Sequence, residues 1–428
     1  MKLFIKNFAK IRNADIDIKG ITVIAGENNT GKSTVGEVLS SFFNSLCDLD
    51  KNIENYKFYS LRHIFSNVLF DFKKKPAVTA RIRSMEFQKQ IERLLENSRI
   101  KTDDSYLDVE ISGIMEYLQI SDYDILKIKE SVKKLLTITD KEILTEDVSN
   151  YFNSVFNSQI NSMYIPEPAE LKIVIKDKEC SVSFIQNDIT DISIGYVITK
   201  SATYINDPFI LNRLNQTGYY YESNNMTLLE NDLLKKLSGI GNSTEEANTI
   251  DQIIASDTLK EVVNELNCVI PGSIVHKDKF LYRQTNGKEI DVISLSTGLK
   301  SFAILKHLIE NSKLNEKDVL VLDEPEIHLH PEWQLIYAEI IVLLQKALNL
   351  NIIITTHSST FLEAIDLYSR KHYISERCTY YLSKESDIEN MSDFEDITAN
   401  LDKAYKQLVS PTLLLSQLRE SLELKNDD

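Results

Sequence analysis

Apolar and polar residues alternate through residues 3–11 and 14–18, and a period of two predicts a pair of half-buried strands. Ile21–Ala25 is apolar almost throughout and stops at Gly26, as a short buried strand would. After Lys32 the apolar positions fall at Val35, Val38, Leu39, Phe42 and Phe43, the spacing of a helix with one buried face. From about 48 to 160 the pattern stays mainly helical. Ile91, Leu94 and Leu95 form one stripe, and Ile125, Ile128, Val132, Leu135 and Leu136 another. Neither sustains the heptads of a long coiled coil, so both predict packed bundle faces. Strand periodicity returns at 171–175, 180–185 and 192–199, and 211–265 is again helical. Residues 273–283 and 290–293 predict strands ahead of a helix over Thr297–Glu310. The wholly apolar 319–322 suits a central parallel strand. A helix over Pro331–Leu348 and a buried strand at 351–355 follow. The chain's end is expected to be helical and polar, with a solvated acidic loop at 384–396.

Composition narrows the class. The 428 residues are 43% hydrophobic and 26% charged, too apolar for a disordered chain and long enough for more than one domain. No apolar run is long enough to span a bilayer, and the first residues lack the apolar core of a leader peptide. Cys47, Cys180, Cys268 and Cys378 are scattered, with no CxxC pair, which argues against structural zinc or a disulfide framework. The expectation is a cytoplasmic protein with no membrane role. A net charge of −16 opposes a uniform phosphate-binding surface. Residues 72–101 depart from it, with nine basic residues (Lys73, Lys74, Lys75, Arg81, Arg83, Lys89, Arg93, Arg99, Lys101) against three acidic. That segment reads either as the solvated face of a helical arm or as a contact for nucleic acid or an acidic partner.

Four motifs carry chemistry. Gly26-Glu27-Asn28-Asn29-Thr30-Gly31-Lys32-Ser33 is a P-loop, placed between a predicted strand and a predicted helix. Its glycines let backbone N–H groups turn toward phosphate oxygens at a helix N-terminus. Gly26, Asn28, Asn29, Thr30, Gly31, Lys32, Ser33 and Thr34 are therefore expected to hold a nucleotide, with Lys32 on the β- and γ-phosphates and Ser33 on Mg²⁺. The run from Val319 through Leu322 ends in Asp323-Glu324-Pro325, a Walker B strand with a second acid. Asp323 is expected to hold Mg²⁺ and Glu324 to polarise the attacking water. Leu295-Ser296-Thr297-Gly298-Leu299-Lys300 places Ser296 at a helix N-cap, with Gly298 leaving room for close backbone approach. Ile352-Ile353-Ile354-Thr355-Thr356-His357-Ser358 sets a histidine just past a buried strand.

The order of these motifs resembles that of ABC-type ATPases. The segment at 295–300 resembles the ABC signature, with Thr297 and Leu299 departing from the family's glycine and glutamine, and His357 resembles the switch histidine that contacts the γ-phosphate. The resemblance implies an α/β fold, an ABC-ATPase head with a P-loop parallel sheet, an antiparallel β lobe and large helical insertions. It implies ATP and Mg²⁺ as ligands, catalytic roles for Glu324 and His357, and a homodimer or higher homo-oligomer. In such an assembly Ser296 and Gly298 act on nucleotide held by a second copy. The 264 residues between Lys32 and Ser296 and the string Asp323-Glu324-Pro325-Glu326-Ile327-His328-Leu329-His330-Pro331 resemble the RecF-like and OLD-like branch. Thr356-His357-Ser358 with Phe361-Leu362-Glu363-Ala364-Ile365 is similar to stand-alone ATPases of bacterial anti-phage systems of the Septu and PARIS type. His328 and His330 match that string as structural residues. The 71 residues after His357 are too few for a Toprim nuclease domain, so a nuclease effector is expected on a separate chain.

The resulting division is an ATPase head at 1–47, 169–210 (the β lobe) and 269–370, helical insertions at 48–168 and 211–268, and a C-terminal segment at 371–428. The family's Q-loop would fall near 201–210, where no residue is assigned. Three functions remain open: an ATP-driven sensor or regulator with a separate effector, a RecF-like DNA-binding repair ATPase, and an ATP-clamped scaffold with little turnover.

Overall fold

The computed structural model describes residues 1–68, 81–82, 84–100, 105–120, 123–215, 226–239 and 259–424. They form two compact units, Met1–Cys47 with Ser149–Asp428, and Asp48–Val148.

The first unit is built on one mixed sheet. Its parallel part has the order β13 (Cys378–Glu385), β3 (Ile21–Ala25), β12 (Asn351–Thr356), β11 (Val319–Asp323), β7 (Thr203–Ile205). Every residue of β3 is buried, and so are the first four of β11, which suits strands covered on both faces. The antiparallel part has the order β6 (Asp188–Ile194), β5 (Lys178–Ile185), β4 (Ala169–Ile175), β1 (Lys2–Phe8), β2 (Ile11–Asp17). Alternating burial in β1 and β2 fits one covered face. β14 (Ser392–Asp396) joins the two parts, antiparallel to β13 and parallel to β2. The expected α/β head, with a parallel core and an antiparallel lobe, is the observed architecture.

Helix α1 (Lys32–Leu46) follows β3 and buries Val35, Val38, Leu39 and Phe42 completely. Further along come α7 (Leu228–Ser238), α8 (Lys260–Val269), α9 (Thr297–Glu310), α10 (Pro331–Leu348), α11 (Ser359–Lys371) and α12 (Asp402–Leu424). A small sheet of β8 (Ser273–His276), β9 (Phe280–Arg283) and β10 (Glu289–Asp291) precedes α9. The second unit holds α2 (Leu49–Val68), α3 (Met85–Ile100), α4 (Ser105–Leu118), α5 (Ile125–Leu136) and the first turns of α6 (Asp140–Phe156). Its core gathers Leu61, Phe65, Phe87, Ile91, Leu94, Ile111 and Val132. The stripe residues Ile91, Leu94, Ile128 and Val132 point inward as packed bundle faces do.

Three local expectations are corrected. Residues 273–283 are a hairpin, with the chain reversing between His276 and Phe280. The third strand of the lobe runs Asp188–Ile194, earlier than the apolar positions at 192–199 imply. The C-terminal segment is not simply helical, and 384–396 is not a free loop. β13 buries six residues in a row beside β3, and its end pairs with β14. Of the six acids in 384–396, Asp393 is paired with Arg12, and Glu395 with Lys384 and Lys403. Of the basic segment, residues 72–80, 83 and 101 lie outside the described residues.

Because β3, β11, β12 and β13 run parallel, their carboxyl ends open on one edge of the sheet. The register pairs Ala25 with both Thr356 and Leu382, and Asp323 with Thr355.

Candidate functional site

The chain leaves β3 at Gly26 and enters α1 at Lys32. Gly26 has φ 149°, and a Cβ built there would lie 2.0 Å from Ser383 Oγ on β13, so only glycine fits. Thr30 Oγ1 bonds the Glu27 carbonyl at 2.8 Å and Ser383 Oγ at 2.6 Å. Lys10 Nζ, from the turn between β1 and β2, donates to Asn29 Oδ1 at 2.7 Å. Asn28 and Asn29 are exposed, whereas Ser33 and Thr34 are half-buried in the first turn of the helix. Gly31 is the N-cap of α1 in a left-handed conformation, and no side chain caps the helix. The leading N–H groups and the positive end of the helix dipole are thus available to an anion.

Lys32 is 3% exposed; its Nζ donates to the Glu27 carbonyl at 2.5 Å and lies 3.7 Å from Glu324 Oε1. Burial pulls its ammonium below the usual lysine range, and Glu324, Asp323 and Glu326 oppose that pull.

Asp323 closes β11. Its Oδ1 accepts from Thr355 Oγ1 and its Oδ2 from the Tyr204 hydroxyl, at 2.9 Å. Thr355 Oγ1 accepts in turn from the Glu324 N–H, at 3.0 Å. Glu324 has φ 46°, a strained setting for a side chain that must leave the strand end at a sharp angle. The other carboxylate oxygen of Glu324 is 3.3 Å from His357 Nδ1. Glu37 follows Ser33 by one turn of α1, and burial first, then Asp323, push its carboxyl up to about 7. Burial and the Asp323 charge likewise push the Tyr204 phenol well up.

Lys32, Asp323, Glu324 and His357, drawn from three parallel strand ends, are thus brought together. Ser296 and Gly298 belong to a second cluster. Ser296 Oγ caps α9 by accepting from the Leu299 N–H at 3.5 Å. A Cβ on Gly298 would meet the Trp333 ring at 3.0 Å and the His328 carbonyl at 3.2 Å. Lys300 Nζ donates to the Ile293 carbonyl at 2.9 Å and lies over the Phe209 ring, which also meets the His328 ring edge-on. His330 is the N-cap residue of α10, though its side chain makes no capping bond.

The family described as an AAA ATPase domain matches residues 1–362. The chain belongs to this family. It is also similar to the Retron Vc95 probable ATPase of Vibrio cholerae serotype O1 biovar El Tor, 24% identical over 400 residues that span 84% of this chain and 70% of that protein. Among solved structures it is similar to the SMC head domain from Thermotoga maritima, at 12% identity and TM-score 0.34, over 92% of this chain and 97% of that one. An SmcHead bound to the C-winged helix domain of ScpA gives 12% identity and TM-score 0.42 over the same shares.

In this AAA ATPase domain protein the residues present fit an ATP phosphate chain with a hard divalent cation. The loop offers uncapped N–H groups and one buried ammonium, and Ser33 and Asp323 offer oxygen donors. Mg²⁺ keeps several waters and takes phosphate oxygens, so two protein donors are in keeping with it. Among the described residues no group of three or more His, Cys, Asp or Glu is arranged to hold a metal by itself. No helix among them is long and apolar enough to cross a membrane.

Sequence reading leaves five neighbours of the site unassigned. Thr355 and Glu326 stand inside quoted motifs without a role, and Tyr204 falls in the stretch expected to hold a Q-loop. Lys10 and Ser383 carry no local signal, because only strand pairing brings them to the loop.

Proposed function

We propose that this chain binds ATP with Mg²⁺ and hydrolyses it, in composite sites formed between two copies. The observation that carries the reading is the convergence of Lys32 Nζ, Glu324 and His357 Nδ1, at 3.7 and 3.3 Å, beside an uncapped helix start. Lys32 would hold the β- and γ-phosphates, with Gly26, Asn28, Asn29, Thr30, Gly31, Ser33 and Thr34 around the phosphate chain. Ser33 and Asp323 would hold Mg²⁺, which supplies neutralising charge on the phosphates when bound. Tyr204 and Thr355 orient the Asp323 carboxylate for that task. Glu324 would accept a proton from the attacking water as its oxygen bonds the γ-phosphorus and ADP leaves. His357 would steady the γ-phosphate and the Glu324 carboxylate.

Ser296 and Gly298 would act on nucleotide bound by a second copy, the positive start of α9 meeting its phosphates. Their contacts with α9, Trp333 and His328, rather than with the P-loop, support a role in trans. ATP would then stabilise the homo-oligomer by binding it preferentially. The similarity to a retron ATPase supports a setting in anti-phage defence, with a separate effector, a nuclease, answering to the ATPase. A RecF-like role on DNA is less favoured. Of the four described basic residues of 72–101 (Arg81, Lys89, Arg93 and Arg99), Arg93 and Arg99 are engaged by Glu110 and Glu54.

Two experiments test the reading. Glu324→Gln is expected to keep ATP affinity and lose turnover; hydrolysis at the wild-type rate removes Glu324 as the base. Lys32→Ala mixed with Ser296→Arg, each inactive alone, is expected to recover part of the activity once mixed dimers are shown to form. No recovery in verified mixed dimers refutes the trans arrangement.

A further inference from the structure

Glu326 has no task in the chemistry just described, yet it is the most deeply buried acid of the site. It lies in the turn after β11, where the Ile327 N–H bonds the Glu324 carbonyl at 3.2 Å and the Leu329 N–H bonds the Glu326 carbonyl at 3.0 Å. Its side chain turns inward and is 2% exposed. Oε1 accepts from Thr356 Oγ1 and from the His357 backbone N–H at 3.3 Å, with His357 Nδ1 3.9 Å away. Thr356 Oγ1 accepts in turn from the Ser358 N–H at 3.0 Å. Glu326 Oε2 is buried with no hydrogen-bond partner among the described residues.

Such a residue is costly to keep. A buried acid suffers desolvation, and burial accordingly pushes its carboxyl above the usual range, against the bonds from Thr356 and His357. What the position gains is a rigid tie. β11 and β12 are neighbours in the sheet, and among the described residues the last backbone bond between them runs from the Glu324 N–H to the Thr355 carbonyl at 3.2 Å. Beyond that bond Glu326 reaches from the first turn after β11 to Thr356, the last residue of β12, and His357, the first residue after it. Without it the His357 loop would depend on Ser358, which caps α11 and donates its N–H to Thr356 Oγ1 and its hydroxyl to Gln334 Oε1 at 3.5 Å, and on a ring that is 42% exposed.

We propose that Glu326 is a positioning residue, which fixes the loop bearing His357 against the turn bearing Glu324. The inference rests on the catalytic reading above. Reacting groups displaced by about 1 Å lose on the order of 100-fold in rate, so loosening this tie acts on turnover rather than on nucleotide affinity. Steady-state ATPase kinetics and nucleotide binding on the full chain test it. Glu326→Ala is expected to lower kcat by about 10- to 100-fold, with KM and ATP affinity within about threefold of wild type. Glu326→Gln keeps an oxygen for both donors and is expected to restore kcat to within about threefold. Because Glu326 acts through His357, the double variant Glu326→Ala/His357→Ala is expected to lose no more than His357→Ala alone.

Full kcat in Glu326→Ala overturns the proposal. So does a Glu326→Gln as slow as the alanine variant, or losses that multiply with His357→Ala. If Glu326→Ala does not fold, Thr356→Val removes one of the two bonds to Glu326, together with the acceptor of the Ser358 N–H, at nearly constant shape and is expected to lower kcat at unchanged KM; wild-type kcat there overturns the proposal as well. Wild-type and Glu324→Gln turnover are measured alongside. If wild type hydrolyses nothing, or Glu324→Gln stays active, the catalytic reading has failed. If both controls behave and the Glu326 and Thr356 variants match wild type, only the role of Glu326 has failed.

Discussion

Gly36 sits in the middle of α1, where helix propensity alone favours alanine by about 1 kcal/mol. The packing forbids it. A Cβ on Gly36 would lie 2.6 Å from Val321 Cγ1 on β11, roughly 1 Å inside a normal carbon contact. Val321 is fully buried in a central strand and has nowhere to move, so Gly36→Ala is expected to force α1 away from β11. Overpacking of this kind costs about 1–3 kcal/mol, and the propensity gain offsets part of it. Net destabilisation of up to about 2 kcal/mol follows. The displacement also carries Lys32 and Ser33 away from Asp323 and Glu324, so ATP turnover is expected to fall with stability. Val321→Ala opens the space that the new methyl needs. In that background Gly36→Ala is expected to stabilise rather than destabilise, a coupling of at least ~1 kcal/mol between neighbouring sites. Urea unfolding of the two single variants, the double variant and wild type measures the cycle, with ATPase assays in parallel. If Gly36→Ala changes stability equally in both backgrounds, the close approach of the P-loop helix to the Walker B strand does not hold the site together.

Lys32→Ala removes the one buried ammonium of the loop and is expected to weaken ATP binding by about 10- to 100-fold in a folded protein; unchanged affinity would sink the phosphate-site assignment. Ser383→Ala removes the hydroxyl that bonds Thr30 and the Ala25 carbonyl. It is expected to lower stability by about 1 kcal/mol and to weaken ATP binding, and a variant that melts and binds like wild type shows that β13 does not brace the loop. Glu37 titrates in the folded chain at about 7, above its ordinary 4.5. The folded state therefore holds a proton that the unfolded state has released, and stability falls as pH rises from 4.5 to about 7, then levels. The gap corresponds to at most ~3 kcal/mol, and Glu37→Gln is expected to flatten it. Urea midpoints against pH, in EDTA without nucleotide, read this slope, and equal slopes in the two proteins count against it.

Local pattern was enough wherever one element carries its own signal. The bounds of Thr297–Glu310 and Pro331–Leu348 follow from periodicity and capping residues, and the observed helices match them. The buried strands Ile21–Ala25 and Val319–Asp323 announce themselves as apolar runs, because a parallel strand covered on both faces has no polar side to show. The motif residues Lys32, Asp323, Glu324 and His357 are legible because each stands next to such a strand. What the sequence left open is whatever depends on distant segments meeting. The run 378–383 falls in the end expected to be helical and polar, yet it becomes the neighbour of β3, since strand pairing is set by backbone bonds and shared burial rather than by local composition. Ser383 then meets Gly26 across more than 350 residues of chain. Tyr204 reaches Asp323 only because β7 adds to the edge of β11. Glu326 stands in plain view in its motif, but its bonds to Thr356 and His357 exist only because β11 and β12 lie side by side. Sequence alone marked the side chains proposed to do chemistry here. The tertiary structure decided which of them are held, by what, and at what distance, because those constraints act between strands that the chain itself does not place next to one another.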